Sequence, residues 1–405
     1  MTRIIFVDDE TRVLDGIRRL LYPMRTEWQM SFASSGAEAL EIMARDPFDM
    51  IVTDVRMPGM DGTELLSRVK ELYPGVARIV LSGQSDRDLT LKSAVCAHQY
   101  LSKPCDAESL KVTIARAVAL KATFTDPALQ ALVSGAGTLP SIPHLYVELM
   151  SKLEDPDGCA QDVANIIARD PAMTAKILQL SNSAFFVLRR RMSDPRDAVL
   201  YLGLDTLKAL ALSVKVFSQF TVRPLSRFSI DDLGKHTILT GILARKIAIA
   251  EGLSKQEVED SFMAGLLHDI GKLVLVTSAP GKYEEAMKFA EVNRVPRRDA
   301  ERTMFGTTHA EIGTYLLWLW GLPDSVVEAV AYHHAPTGCP ARRLGPLTAV
   351  HAANVLAHES GPNTTEHGSN ISELDMEYLT DLGLAARIPL WRTLIEQAAR
   401  EQKAA

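Results

Sequence analysis

The opening third of the chain alternates two hydrophobic patterns. Short unbroken apolar runs, Ile4-Ile5-Phe6-Val7 and Met50-Ile51-Val52-Thr53, have the length and β-branched content of strands buried on both faces. Arg78-Ile79-Val80-Leu81 and Gln99-Tyr100-Leu101-Ser102 read as a fourth and a fifth strand. Between the runs, apolar residues recur at helical spacing, as at Val13-Leu14, Ile17 and Leu20-Leu21. Asp106 reads as the N-cap of a last helix reaching Leu120, and Thr125-Asp126-Pro127 breaks the pattern. This alternation predicts an α/β doubly wound domain with a parallel five-stranded sheet over residues 1–124. A linker over 125–138 follows. From Leu139-Pro140-Ser141-Ile142-Pro143 onward the spacing is helical, which predicts an all-α domain over 139–340. A polar loop near Gly361-Pro362-Asn363 then precedes helical spacing from Ile371 to Ala399, anchored by Trp391, Leu394 and Ile395, so 341–405 reads as a helical extension of the second domain.

The strand ends carry the chemistry. Asp8-Asp9 follows the first run, Asp54 the third strand, Ser82 the fourth and Lys103 the fifth. Ligands of open α/β sheets sit at the carboxyl ends of the strands. Carboxylates crowded there repel one another unless a hard divalent cation joins them, and Mg²⁺ suits an oxygen-rich site shared with a phosphate. Lys103 can balance a phosphoryl group on Asp54.

Asp54 is followed by Val55-Arg56-Met57-Pro58-Gly59-Met60-Asp61-Gly62, and with Ser82, Tyr100 and Lys103-Pro104 in order the segment from Met1 to about Leu120 resembles the receiver domain of two-component response regulators. The resemblance implies a phosphoryl group on Asp54 supplied by a sensor histidine kinase. It implies Mg²⁺ on Asp9, Asp54 and the Arg56 carbonyl, with Asp8 as outer support. Ser82 and Tyr100 would follow the phosphoryl group as switch residues. The apolar stripe Leu110, Ile114, Ala117-Val118 and Leu120 either packs on the receiver sheet or forms an interdomain or homodimer face.

Two later segments, Asp170-Pro171-Ala172-Met173-Thr174 leading to Asn182-Ser183-Ala184, and Ala198 to Leu204, resemble the HDOD domain, an all-helical relative of the HD phosphohydrolases. Histidines beyond them fall in a ligand-like order. Asp232 and His236 stand four apart on one helix face, His268-Asp269 precedes Ile270-Gly271-Lys272, and His309, His333-His334 and Asn354 follow. Imidazole with carboxylate suits Fe, Mn or Zn. The set resembles the HD-GYP cyclic-dinucleotide phosphodiesterases, which implies metal on Asp232, His236, His268, Asp269, His309, His333 and His334, with Lys272 steadying phosphate charge. Two departures stand out. The G-Y-P loop is absent, and Asn354 occupies the position of the closing aspartate. The expected function is therefore a phosphorylation-controlled regulator whose HDOD output binds an unidentified downstream protein. The alternatives are a metal-dependent phosphodiesterase acting on a cyclic dinucleotide such as cyclic di-GMP, and a pocket that binds a nucleotide without cleaving it.

Composition narrows the class only slightly. The 405 residues carry 44 basic against 50 acidic side chains, a net charge of −6, which gives no large basic surface for DNA. No apolar stretch reaches the ~18 residues of a membrane span. The chain enters its first strand directly after Met1-Thr2-Arg3, and Cys96, Cys105, Cys159 and Cys339 form no C-x-x-C pair. The expectation is a cytoplasmic protein with reduced thiols and no leader.

Overall fold

The computed structural model describes residues 1–82, 93, 96–103, 110–111, 114–115, 140–141, 143–155, 159–182, 192–204, 207, 218–219, 225–360 and 373–395. The predicted linker 125–138, the Asn182-Ser183-Ala184 signature beyond Asn182, and most of the helix predicted from Asp106 to Leu120 lie outside these residues, as do Pro104, Cys105 and Ile371.

The first body is a parallel sheet of five strands in the order β2-β1-β3-β4-β5. The strands are β1 (Thr2–Val7), β2 (Trp28–Ala33), β3 (Met50–Asp54), β4 (Ala77–Ser82) and β5 (Gln99–Ser102). Helices α1 (Thr11–Leu20), α2 (Gly36–Arg45) and α3 (Gly62–Leu72) connect them. Every residue of β3 and β4 is buried, while edge strand β2 is partly open, so the unbroken apolar runs mark the middle of the sheet. The start of α3 explains the residues that follow Asp54. Asp61 caps the helix by accepting from Glu64 N at 2.8 Å. A Cβ on Gly62 would come within 2.1 Å of the Asp54 carbonyl, so only glycine lets this helix start directly beneath the acid.

The second body is helical. Its elements are α4 (Pro143–Glu154), α5 (Ala160–Ile167), α6 (Pro171–Ser181), α7 (Pro195–Leu202), α8 (Ile230–Ala250), α9 (Lys255–Leu267) and α10 (Ile270–Ser278). They continue as α11 (Pro280–Asn293), α12 (Arg297–Phe305), α13 (His309–Leu319), α14 (Asp324–Tyr332), α15 (Pro346–Ser360) and α16 (Met376–Asp381). A two-residue parallel pairing, β6 (Pro140–Ser141) with β7 (Ser218–Gln219), ties the start of this body to its middle. Among the described residues no single helix is long and apolar enough to cross a membrane.

The C-terminal segment belongs to the same core. Tyr378 is fully buried and its hydroxyl meets Thr348 Oγ1 at 2.8 Å. Trp391 is also fully buried, and its Nε1 donates to Glu251 Oε1 at 2.8 Å, the carboxylate that also takes Arg387 Nε at 2.9 Å. Asp375 N donates to His351 Nε2 at 2.9 Å, and His351 Nδ1 in turn donates to the His333 carbonyl at 2.8 Å.

The two bodies meet along a seam at the amino end of β4 and β5. All of α6 is buried there, polar Lys176 and Gln179 included. Gln179 Nε2 donates to the carbonyls of His98 at 2.9 Å and Ala97 at 3.3 Å, just before β5. Buried Arg78 of β4 braces the same loop by donating from Nε to the Cys96 carbonyl at 2.5 Å. Leu319, at the end of α13, shares an apolar cluster with Ile79, Leu101, Leu110 and Ile114. The Lys176 ammonium lies over the Trp320 ring, 5.4 Å from its centroid.

Two outcomes are expected. Trp391→Ala should lower stability by about 3–5 kcal/mol in urea denaturation, the cost of emptying a large buried site. Burial pulls the Lys176 ammonium down to about 7 from an ordinary 10.5. The folded chain then binds that proton less readily than the unfolded chain, so stability rises with pH between those two values. Urea midpoints at two pH values inside that window should show the wild type gaining up to ~1.4 kcal/mol per pH unit more than Lys176→Met.

Candidate functional site

At the carboxyl ends of β1, β3 and β5, one lysine bridges two acids. Lys103 Nζ lies 2.6 Å from Asp8 Oδ2 and 2.9 Å from Asp54 Oδ1. Asp8 Oδ1 accepts from Glu10 N at 2.9 Å, and Asp54 Oδ1 accepts from Val55 N at 2.9 Å. Asp8 and Asp54 are buried and Asp9 is exposed, yet carboxylate oxygens of all three lie within 4.8 Å of one another. Burial pushes the Asp54 carboxyl up from the ordinary aspartate range, although Lys103 pulls it down. Burial also works against the Lys103 charge, but Asp8 and Asp54 hold its pKa above the usual lysine value. Three carboxylates against one ammonium leave two negative charges, the demand a divalent cation meets. Among the described residues the buried Ser82 hydroxyl has no hydrogen-bond partner. Arg56 is exposed on the loop after Asp54. Tyr100 pairs with Val80 in β5, and its side chain lies outside the described residues.

A second constellation gathers at helix ends of the other body. His268 caps the C-terminus of α9 and its Nδ1 donates to the Gly265 carbonyl at 2.7 Å. His333 does the same for α14, donating to Val330 O at 2.8 Å. His309 opens α13, and its Nδ1 donates at 2.6 Å to Glu301 Oε2, which also takes the His309 backbone N at 2.8 Å. With each Nδ1 proton committed to an oxygen, the Nε2 lone pairs of three imidazoles are left for the interior. His309 Nε2 lies 3.2 Å from Asp269 Oδ1 and 3.0 Å from His334 Nε2. Buried and without hydrogen-bond partners among the described residues are His268 Nε2, Asp269 Oδ1, His333 Nε2 and His334 Nδ1. Lone pairs facing one another at these distances call for a proton or a metal cation, so the donor set fits a transition metal.

The electrostatics follow. Burial, reinforced by neighbouring imidazoles, holds His333 and His334 well below the usual histidine range. Burial pulls His309 the same way, but Glu301 outweighs it and raises its pKa. Asp269 resists burial because His268, Lys272 and His309 keep it ionised, with Lys272 Nζ at 2.6 Å from Oδ2. Gly271 allows this crowding, since a Cβ there would come within 2.0 Å of the His309 carbonyl.

Of the residues singled out from sequence, Asp269, His309, His333 and His334 form one cluster and His236, His268 and Asp269 another. Asn354 borders the second, its Oδ1 meeting His236 Nε2 at 3.0 Å. Asp232 stands apart: its side chain is 64 % exposed and lies 3.8 Å from Lys235. It occupies the first turn of α8, where its backbone N donates to the Ser229 cap, one turn short of the buried end of His236. Glu301 and His358 were missed. Glu301 is fully buried, and His358 stacks on His236 with centroids 4.2 Å apart. His358 follows Asn354 by four residues on one helix face, a spacing that could have flagged it. Glu301 belongs to no ligand-like motif.

A family model for the response regulator receiver domain matches residues 4–115, and one for the HDOD domain matches residues 139–336. The chain joins a receiver domain to an HDOD domain. An uncharacterized protein of Treponema pallidum is 28 % identical over 217 residues, 54 % of this chain and 42 % of that protein. The hydrogenase transcriptional regulatory protein HoxA of Cupriavidus necator is 38 % identical over 117 residues, 28 % of this chain and 24 % of that protein. The chain thus spans less than half the length of these two relatives. The crystal structure of the MmoQ response regulator from Methylococcus capsulatus is similar at 23 % identity and a TM-score of 0.48, covering 63 % of this chain and 98 % of that one. By its domain content the chain is a receiver–HDOD response regulator.

Glu301→Ala should cost about 3 kcal/mol or more in thermal or urea denaturation, because it strands the buried His309 donors. Glu301→Gln, which keeps an acceptor, should cost less.

Proposed function

We propose that Asp54 is the phospho-acceptor of this regulator and that the HDOD region is an output acting by binding a downstream protein. The single observation that carries the reading is Lys103 bridging buried Asp8 and Asp54 at the strand ends. Because Asp54 Oδ1 holds both Val55 N and Lys103, Oδ2 is left to attack phosphorus. In transfer from the phosphohistidine of a sensor kinase, the new O–P bond forms as the N–P bond breaks, and the electron pair departs on the imidazole. Mg²⁺, held by Asp9, Asp54 and the Arg56 carbonyl, would neutralise phosphoryl oxygens when bound. Lys103 then shifts its charge to the phosphoryl group and Ser82 donates to it. Acetyl phosphate with Mg²⁺ should produce a phosphate-affinity gel shift in the wild type and none in Asp54→Asn. A shift that survives the substitution would move the acceptor elsewhere.

The orphaned imidazole nitrogens favour a further reading of the HDOD site. We infer that Asp269, His309, His333 and His334 hold one transition-metal ion, which would staple together the helix ends at which they lie. The His236 side is poorer. Asn354 supplies an amide where an acid would add charge, and with its oxygen accepting, His236 Nε2 carries the proton. The absent G-Y-P loop removes the substrate grip on which the phosphodiesterase alternative leans. Metal analysis of purified protein should give about one ion per chain, lost in His333→Ala and retained in His236→Ala. Two ions per chain, or loss in both variants, would contradict the assignment.

A further inference from the structure

Helix α13 spans the distance between the imidazole cluster and the receiver seam. His309 is its first residue and a member of the imidazole cluster. Leu319 is its last, and it lies in the apolar cluster formed by receiver residues Ile79, Leu101, Leu110 and Ile114. Eleven residues make a rod of about 16 Å. Trp320 caps the rod and carries the Lys176 ammonium over its ring, and Gly321, at a φ of +74°, lies against the Gln99 side chain of β5. The rod is braced along its length. Ala310, Ile312, Gly313, Tyr315, Leu316 and Leu317 are all buried, so a displacement at one end cannot be absorbed by bending into solvent.

The receiver side has the same arrangement. β4 carries Ser82 at its carboxyl end, beside the phospho-acceptor, and Arg78 near its amino end, at the seam. β5 pairs with β4 and runs from Gln99 at the seam towards Lys103 at the acids. Among the described polar contacts of the seam, Gln179 holds the His98 and Ala97 carbonyls with one amide group. Each such bond contributes only about 1 kcal/mol net, a hold that a charge introduced at Asp54 can outweigh.

We propose that the seam between β4–β5 and α6–α13 is a docking surface through which phosphorylation of Asp54 and metal binding at the imidazole cluster oppose each other. The inference rests on the metal reading above. In the docked arrangement α13 is held at its far end and His309 faces Asp269 and His334. Adding a phosphoryl group draws on Ser82 and Lys103, disturbs β4 and β5, and loosens the hold of Gln179 and Leu319. With that end free, His309 is less well placed, and the cluster binds metal more weakly. Linkage makes the effect mutual, so a bound metal favours the unphosphorylated, docked receiver to the same degree.

The test is a calorimetric titration of the full chain with Zn²⁺, in Mg²⁺ throughout, with and without beryllofluoride as a phosphoryl mimic. Fluorine NMR reports loading of the receiver. Beryllofluoride should weaken the Zn²⁺ dissociation constant about fivefold or more in the wild type and leave it unchanged in Asp54→Asn. Gln179→Ala should weaken Zn²⁺ binding without beryllofluoride, and beryllofluoride should then add little. A constant that is unchanged or tightened in a loaded wild-type receiver overturns the proposal while leaving the metal assignment standing. Absence of Zn²⁺ binding in every state overturns both.

Discussion

Charge and lone pairs of one sign, held together at the ends of rigid elements, are the constraint around which both bodies are built. In the receiver the crowding is anionic: Asp8, Asp9 and Asp54 converge because three parallel strands end there, and Lys103 relieves only part of the repulsion. In the helical body it is a crowd of imidazole lone pairs, aimed inward because carbonyls and Glu301 take the outward protons. Neither group can relax by moving apart, since β-strand pairing fixes the first and helix caps fix the second. A counter-charge would relieve either group, and that demand is what marks both as candidate sites.

Much of this was legible in the residues alone, for an identifiable reason. The strand ends of the receiver announce themselves because apolar runs stop at acids, and Gly62 follows Asp54 at the spacing that a helix start beneath the acid requires. The histidines of the output domain lie far apart in the chain, yet His268, His309 and His333 each stand where a helix begins or ends, and those boundaries can be read from capping residues. Where the reading fell short, long-range packing decided. Asp232 shares a helical face with His236, but α8 enters the core only past its first turn, so the acid is left outside. Glu301 has no neighbour in sequence that marks it. Only the turn between α12 and α13 brings it to His309.

The same distinction applies to the seam. Lys176 and Gln179 look like the polar face of an amphipathic helix, and periodicity would place them in water. They are buried because a second domain lies over α6, which no local pattern in α6 encodes. A polar residue on an otherwise apolar helix therefore carries information about a neighbour, and its meaning emerges only once that neighbour is in view.

His351 gives the C-terminal segment an unexpected standing. One nitrogen of this ring holds the His333 carbonyl and the other takes the amide of Asp375, so a two-bond tether runs from the imidazole cluster to the segment that buries Tyr378 and Trp391. The recognisable family region stops at residue 336, between His333 and the other two residues of that tether. A fragment trimmed to those limits would lose Asn354, His351 and the aromatic plugs together, and would open the cluster to solvent. For this chain, the smallest excisable unit is larger than the smallest recognisable one.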